Sequence, residues 1–221
     1  MQGTKLTRNI NGFTLIELTL TIAISTIVIG AIYTVFASVN RSCTNNEVSA
    51  EVMQHMRTSI EFMEQDIRMA GLDRFGSANA GFEWVLSAYP TQTGLRFTAD
   101  RNKDGDIDDA DLDDGDIGDS DLERITYRYL SGTQRLEQCL YKDTTGTPWI
   151  EDCDIVAENV TNFQFSYFDE DDVPIAAPVS NVDTPRIRTV EVSMRIQQPA
   201  GRSEMVSRTL TKRILCRNTS F

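Results

Sequence analysis

The sequence is poor in the residues that most catalytic and zinc-binding sites require. It contains one histidine, His55, and its four cysteines are widely spaced, with no C-x-x-C pair. Zinc sites use closely spaced cysteine and histidine ligands, so this class of site is disfavoured. No serine, cysteine or histidine arrangement suggests nucleophilic catalysis, and no glycine-rich phosphate-binding loop is present. We therefore expect that the chain is not an enzyme.

Positive charge is also scarce. The 221 residues include 21 Lys and Arg against 33 Asp and Glu, which gives a formal net charge of −12. Two of the positive charges, Lys5 and Arg8, lie among the first twelve residues, so the remainder of the chain would carry −14. Nucleic acids attract Lys and Arg to their phosphates, and an acidic protein repels them. Nucleic acid is therefore not an expected partner.

Charge is absent altogether from residues 18–40, which form a long apolar stretch. As an α-helix with a rise of about 1.5 Å per residue, the 22 residues 18–39 would reach roughly 33 Å, enough to cross a bilayer. A secretory signal peptide would have a shorter apolar region that ends in small residues such as A-x-A. We therefore expect the apolar helix to stay in the mature protein.

The residues Gly12-Phe13-Thr14-Leu15-Ile16-Glu17 connect a short basic segment to the apolar stretch. They resemble the prepilin peptidase site that type IV pilins share with the pseudopilins of type II secretion. The resemblance implies cleavage after Gly12, N-methylation of Phe13, and pairing of Glu17 with the N-terminal amine of a neighbouring subunit. A carboxylate at the margin of an apolar helix is costly in lipid unless it is neutralised. The alternative for Glu17 is an interfacial carboxylate of an ordinary signal anchor with a cytoplasmic N-terminus.

The helical pattern continues beyond the apolar stretch. Apolar residues recur at alternating steps of three and four, and this stripe consists of Met53, Met56, Ile60, Met63, Ile67 and Ala70. The spacing predicts one face of an α-helix that extends over 13–70, with Gly71 at its C-terminal cap. We expect the stripe to face the core. A Met-rich groove for partner peptides is the alternative.

Short alternating segments replace the helical period from Gly81 onward. They predict antiparallel strands with one solvated face, at 82–88, 95–99, 125–130, 136–141, 160–168, 189–196 and 205–216. The expected fold class is α+β, with a long N-terminal helix packed on an antiparallel β-sheet, as the resemblance to pilins also implies. The expected parts are a leader at 1–12, a transmembrane or filament-core helix at 13–40, its soluble half at 41–72, and a β-sheet region at 73–221.

A second resemblance narrows the family. Residues 57–72 are similar to the same region of PilW-like minor pilins and J-type minor pseudopilins, as are Arg208-Thr209-Leu210-Thr211 and Arg217-Asn218. Many major pilins carry a proline near the position of Thr34, which melts part of the helix on assembly. The resemblance therefore implies a minor subunit.

The four cysteines are an even number in a chain whose N-terminus indicates export, where thiols oxidise to disulfides. Cys139 and Cys153 flank a short polar turn, and we expect them to pair. Closing a loop of about 15 residues contributes roughly 3 kcal/mol in the chain-entropy model. A second pair, Cys43 with Cys216, would join the last strand to the helix. Sequence alone leaves the connectivity open.

An acidic loop at 100–121 has the spacing of an EF-hand calcium site, with Gly105 at the sharp turn and Ile107 at the apolar anchor. The candidate ligands are oxygen-bearing residues at loop positions 1, 3, 5, 7, 9 and 12, the seventh through its backbone carbonyl: Asp100, Asn102, Asp104, Asp106, Asp108 and Asp111. Asp111 replaces the usual glutamate, as in dockerin-type loops. The spacing predicts a structural Ca²⁺. A solvated acidic loop without an ion is the alternative.

The leading hypothesis is an assembly protein, a minor pilin that prepilin peptidase cleaves and that helps to initiate or assemble a type IV pilus. Its partners would be the peptidase, other minor and major pilins or pseudopilins, and the inner membrane. It would be a single-pass protein of the bacterial inner membrane with a periplasmic C-terminal domain, and then part of a pilus or pseudopilus. The alternatives are a minor pseudopilin of type II secretion and a tip binding or adhesion subunit that uses the calcium-ordered loop.

Overall fold

A computed structural model describes residues 12–73, 80–85, 89–101, 107, 123–142, 150–201 and 204–218. The chain divides into two compact units, Met1–Asn46 and Glu47–Phe221. Helix α1 (Leu15–Met69) contributes residues to both units, and eight strands are defined within the described residues that follow it. The helix agrees with the predicted 13–70 to within two residues at each end.

In the first unit, α1 is mainly apolar as far as Val39, and nearly all of its side chains are exposed. The most apolar part of the helix has none of its residues buried inside the chain. By length and composition, this helix can cross a membrane. Four threonine hydroxyls would be costly in lipid without a partner, but each donates to a backbone carbonyl three or four residues earlier. These residues are Thr19, Thr21, Thr26 and Thr34.

In the second unit, α1 buries the predicted apolar stripe. Met56, Met63 and Ile67 are fully buried, so the stripe is core and not an open groove for partner peptides. The helix ends as predicted, because Gly71 adopts a φ of 76°, which glycine takes at little cost. The Gly71 N–H donates to the carbonyl of Thr98 at 3.0 Å. This bond fixes the end of the helix to the first strand.

The strands form two antiparallel four-stranded sheets, with the orders β1-β2-β3-β4 and β6-β5-β7-β8. The strand bounds are β1 Gly94–Thr98, β2 Arg124–Leu130, β3 Arg135–Lys142, β4 Ile150–Ala157, β5 Val160–Phe168, β6 Pro174–Ile175, β7 Thr189–Ala200 and β8 Glu204–Leu215. A long N-terminal helix with antiparallel sheets confirms the α+β, pilin-like fold class. The strands divide between two sheets, where the sequence pattern predicted one.

Two strands were not predicted, and no strand forms in the described part of the predicted strand 82–88, whose last three residues lie outside the described residues. Over the described part of 82–88, Phe82 and Val85 form only isolated bridges, to Phe97 and Tyr89. β4 has the sequence IEDCDIVA, whose acidic residues have low strand propensity. It is a strand because it pairs with β3. β6 is only two residues long, which is too short to give an alternating pattern.

One of the two predicted disulfides is present. Cys139 and Cys153 lie directly opposite each other in the pairing of β3 with β4, with Cα atoms 4.1 Å apart, and they are bonded. The predicted pair of Cys43 and Cys216 is wrong, because both are free thiols, Cys43 exposed and Cys216 buried. Burial raises the pKa of Cys216 to about 12. The thiol therefore stays protonated and is a poor partner for disulfide exchange.

The core of the second unit is shared by α1 and both sheets. Phe163, Phe165 and Tyr167 of β5 lie on one face, as predicted, and all three are buried. The rings of Phe163 and Phe165 meet edge to face, with centroids 4.8 Å apart. The Tyr167 hydroxyl donates to the carbonyl of Thr91 at 2.6 Å. The buried hydroxyl is therefore satisfied within the core.

A polar network within this core joins α1 to the first sheet. Asp66 of α1 is only 5% exposed. Its Oδ2 accepts hydrogen bonds from the Tyr127 hydroxyl and from Gln138 Nε2, each at 2.6 Å. Burial raises the pKa of Asp66, although the two hydrogen bonds and the charge of Arg101 oppose this effect. The network therefore satisfies its donors but holds a carboxylate in an unfavourable environment.

Substitutions of Asp66 separate the contribution of its hydrogen bonds from the cost of its buried charge. The Asn side chain of Asp66→Asn can accept both hydrogen bonds without a charge, whereas Asp66→Leu leaves two buried donors unsatisfied, at about 1–3 kcal/mol each. Because the folded pKa of Asp66 is raised, its stabilising contribution is present at low pH and is lost as pH rises through that pKa. We therefore expect Asp66→Asn to gain stability relative to wild type as pH increases. Thermal unfolding of the full chain in detergent, with exposed Glu61→Gln as control, checks this. A pH-independent difference would contradict it.

Candidate processing and assembly site

The first turn of α1 is held by a reciprocal pair of side chains. The Glu17 Oε2 accepts hydrogen bonds from the backbone N–H and the hydroxyl of Thr14, both at 2.9 Å, and the Glu17 N–H donates to Thr14 Oγ1 at 3.3 Å. This is a capping box, with Thr14 at the N-cap and Glu17 at the third helical position. The T-x-x-E spacing is a sequence signal for such a cap. Thr14 is therefore a helix-capping residue that was not predicted.

The predicted cleavage bond lies just outside the capped helix. Gly12 and Phe13 are not helical, and Phe13 is 89% exposed. A Cβ built on Gly12 would meet no atom within 4 Å. The fold of this chain therefore does not require glycine at position 12. A requirement for glycine there would come from the enzyme that cuts the bond.

The Glu17 carboxylate has capacity for a further partner. Within the described residues, its hydrogen bonds all involve Oε2, and the side chain is exposed. An ionised carboxylate offers about four lone-pair sites, so Oε1 can accept from another donor while Oε2 caps the helix. The structure thus explains the position of Glu17 in α1 and leaves one oxygen for a cationic group.

Buried carboxylates lie at the first residue of the acidic loop and two residues beyond its last. Asp100, the first predicted calcium ligand, is fully buried, and its N–H donates to Leu72 O at 2.8 Å. Glu123 at the other end is also fully buried and accepts from the Arg101 N–H at 2.6 Å. The described residues on the two sides of the loop are therefore close to each other. The remaining predicted ligands lie outside the described residues: Asn102, Asp104, Asp106, Asp108 and Asp111.

A basic N-terminal segment, an accessible Gly-Phe bond and a capped apolar helix with an early glutamate together define a type IV prepilin-like protein. Comparison with known families agrees, because residues 7–33 match the prokaryotic N-terminal methylation motif. Residues 45–216 match the family described as prepilin peptidase-dependent protein B. This match covers well over half of the chain, and the chain belongs to that family. Membership implies processing by prepilin peptidase. No curated protein matches the chain.

Substitution of Gly12 should affect processing without affecting the fold. We expect Gly12→Val to keep the unfolding temperature of wild type, because a side chain at Gly12 meets open space, and to retain residues 1–12. Gly30→Ala is a matched control, since Gly30 also faces open space and alanine is favourable within a helix. Intact-mass analysis in a host that has the peptidase distinguishes the two. Normal removal of residues 1–12 from Gly12→Val would contradict the assignment of the cleavage site.

Proposed function

We propose that this chain is a minor pilin that helps to initiate or assemble a type IV pilus after prepilin peptidase removes residues 1–12. The observation that carries the proposal is Glu17, a carboxylate at the start of an apolar helix with Oε1 open to a partner. Cleavage would give every subunit a free amine on Phe13. A neighbour's amine would neutralise Glu17 at the moment when the apolar helices leave the lipid for a filament.

Charge and redox chemistry support the proposal that the second unit is periplasmic. Lys5 and Arg8 precede the apolar helix, and positive residues favour the cytoplasmic side. The second unit then lies on the opposite side of the inner membrane, in the periplasm. The disulfide between Cys139 and Cys153 supports this orientation, because such bonds persist in oxidising compartments.

A minor role is favoured by the continuity of α1. The helix runs without interruption through Gly30 and Thr34, and the Thr34 hydroxyl donates to Ala31 O at 2.8 Å. A helix without a proline keeps its full ladder of backbone hydrogen bonds. The helix would therefore stay intact on assembly, unlike that of a major pilin that melts near this position.

The substitution Glu17→Gln tests the role of the charge in assembly. Glutamine can still occupy the third position of a capping box, so the start of α1 and the removal of the leader should persist. Neutral glutamine would not attract a neighbour's ammonium group, so we expect the variant to be absent from sheared pili. Immunoblots of pilus and membrane fractions measure this.

Thr14→Ala is the control for helix capping, because it removes the N-cap, at about 0.5–2 kcal/mol, but keeps the carboxylate. We expect this variant to enter pili. Wild-type incorporation of Glu17→Gln would contradict the proposal.

Deletion of the gene distinguishes a pilus from a pseudopilus. We expect the deletion to reduce piliation. Loss of protein secretion with normal pili would instead assign the chain to a type II secretion pseudopilus.

We also propose that the loop at 100–121 binds a structural Ca²⁺. The spacing of its oxygen side chains supports this, and so does its base, where Asp100 and Glu123 are both fully buried. Buried carboxylates are normally balanced by positive charge, and a divalent cation at the adjoining loop would contribute to that balance. The ion would order the loop, and an ordered loop at a pilus tip could contact a surface or substrate.

Calcium should therefore raise the unfolding temperature of the full chain. A ligand that binds only the folded state stabilises it by about 2.7 kcal/mol at a concentration about 100 times its Kd. We expect this effect for Ca²⁺ but not for Mg²⁺ at equal concentration, and we expect Asp104→Ala to abolish it. Asp171→Ala, in an exposed acidic turn elsewhere, should respond as wild type does. An equal calcium response in Asp104→Ala would contradict the proposed ligands.

A further inference from the structure

The second unit contains a cleft of about 690 Å³, which falls within the range of ligand-binding sites. It lies where the middle of α1, the end of β4 and the end of β7 meet. The residues that line it include Gln54, His55 and Thr58 of α1, Ile155 to Asn159 of β4 and the following turn, and Ile196 and Gln198 of β7. None of these residues belongs to the processing site or to the acidic loop.

An irregularity in the first sheet borders the cleft. The pairing of β3 with β4 shifts register between Leu136 and Glu137, which leaves Val156 as an extra residue on β4. Such a bulge bends its strand and removes one residue from the ladder. The Val156 carbonyl accepts a hydrogen bond from Ser59 Oγ of α1 at 2.9 Å. This hydrogen bond connects the bulge to α1, and it holds this side of the cleft in position.

The lining combines an apolar floor with a neutral polar rim. Ala157 and Ile196 are buried, whereas Ile155 is 48% exposed. The rim carries amides, a hydroxyl and an imidazole, and within the described residues these side chains make no hydrogen bonds: Gln54, His55, Thr58, Asn159 and Gln198. The lining carboxylate, Glu158, pairs with Arg135 at 3.0 Å.

The neutral rim limits the class of ligand. Among the described residues, the lining contains no lysine or arginine, and the chain carries −12 overall, so anionic ligands are disfavoured. The same charge disfavours a second copy of this chain. The described part of the lining also contains no aromatic ring on which a sugar could stack. Side-chain amides both donate and accept, which matches the alternating N–H and C=O groups of a polypeptide backbone.

We propose that this cleft binds an uncharged, extended segment of a partner protein. The amides of Gln54, Asn159 and Gln198 would bond the backbone of the segment, and its aliphatic side chains would cover Ile155, Ala157 and Ile196. Main-chain hydrogen bonds give such binding its affinity, and apolar contacts give it sequence preference.

The test uses the full-length protein in detergent micelles and a phage-displayed library of random linear peptides. We expect enrichment of uncharged peptides that contain aliphatic residues. Binding of a synthetic enriched peptide is then measured by fluorescence anisotropy. Gln54→Trp should block the rim and weaken binding more than about tenfold. Gln198→Ala should weaken it about three- to tenfold, as expected for one lost neutral hydrogen bond.

Gln65→Trp is the matched control, because Gln65 is an exposed glutamine of the same helix outside the cleft. Its affinity should equal that of wild type, and the unfolding temperatures of both tryptophan variants should agree. The proposal is overturned if no peptide is enriched, if charged peptides dominate, or if Gln54→Trp binds as well as Gln65→Trp. It is also overturned if a glycan array gives binding that Gln54→Trp removes, since the occupant would then be a sugar.

Discussion

Burial of one stripe of α1 against both sheets holds the second unit together. Met56, Met63 and Ile67 are fully buried there, while the apolar side chains of the same helix in the first unit are exposed. The buried side chains pack against other residues of the chain. The exposed side chains require a membrane or the helices of other subunits. The apolar side chains of α1 in the first unit therefore require a partner outside the chain, whereas those in the second unit do not.

Two acidic residues of α1, Asp66 and Glu17, lie in different environments. Asp66 is buried, and its carboxylate satisfies Tyr127 and Gln138 within the chain. Glu17 is exposed, caps α1 through one oxygen and keeps the other available. A buried acceptor of this kind specifies internal packing, whereas an exposed carboxylate beside an apolar helix favours association with a cation. The same helix therefore carries one acid that contributes to internal packing and one that is accessible to a cation.

The features that follow from local pattern were predictable. The helix, its Gly71 cap, six strands and the Cys139–Cys153 bond all have short-range signals, and the structure contains each of them. β4 was not predictable, because its acidic residues oppose strand formation until β3 and the disulfide supply a partner. The pairing of Cys43 with Cys216 failed because connectivity depends on tertiary position and burial. The capping role of Thr14 was predictable in principle, because T-x-x-E is the spacing of a capping box. The cleft could not be predicted, since it combines α1, β4 and β7, which are distant in sequence.

The central claim is that this chain is a prepilin that becomes a subunit of an extracytoplasmic filament. The most direct measurement is the intact mass of the protein recovered from sheared, purified pili. The account predicts a mass that corresponds to residues 13–221 with one methyl group on Phe13. Absence from pili, with the complete chain 1–221 retained in the membrane of a host that has active prepilin peptidase, would contradict it.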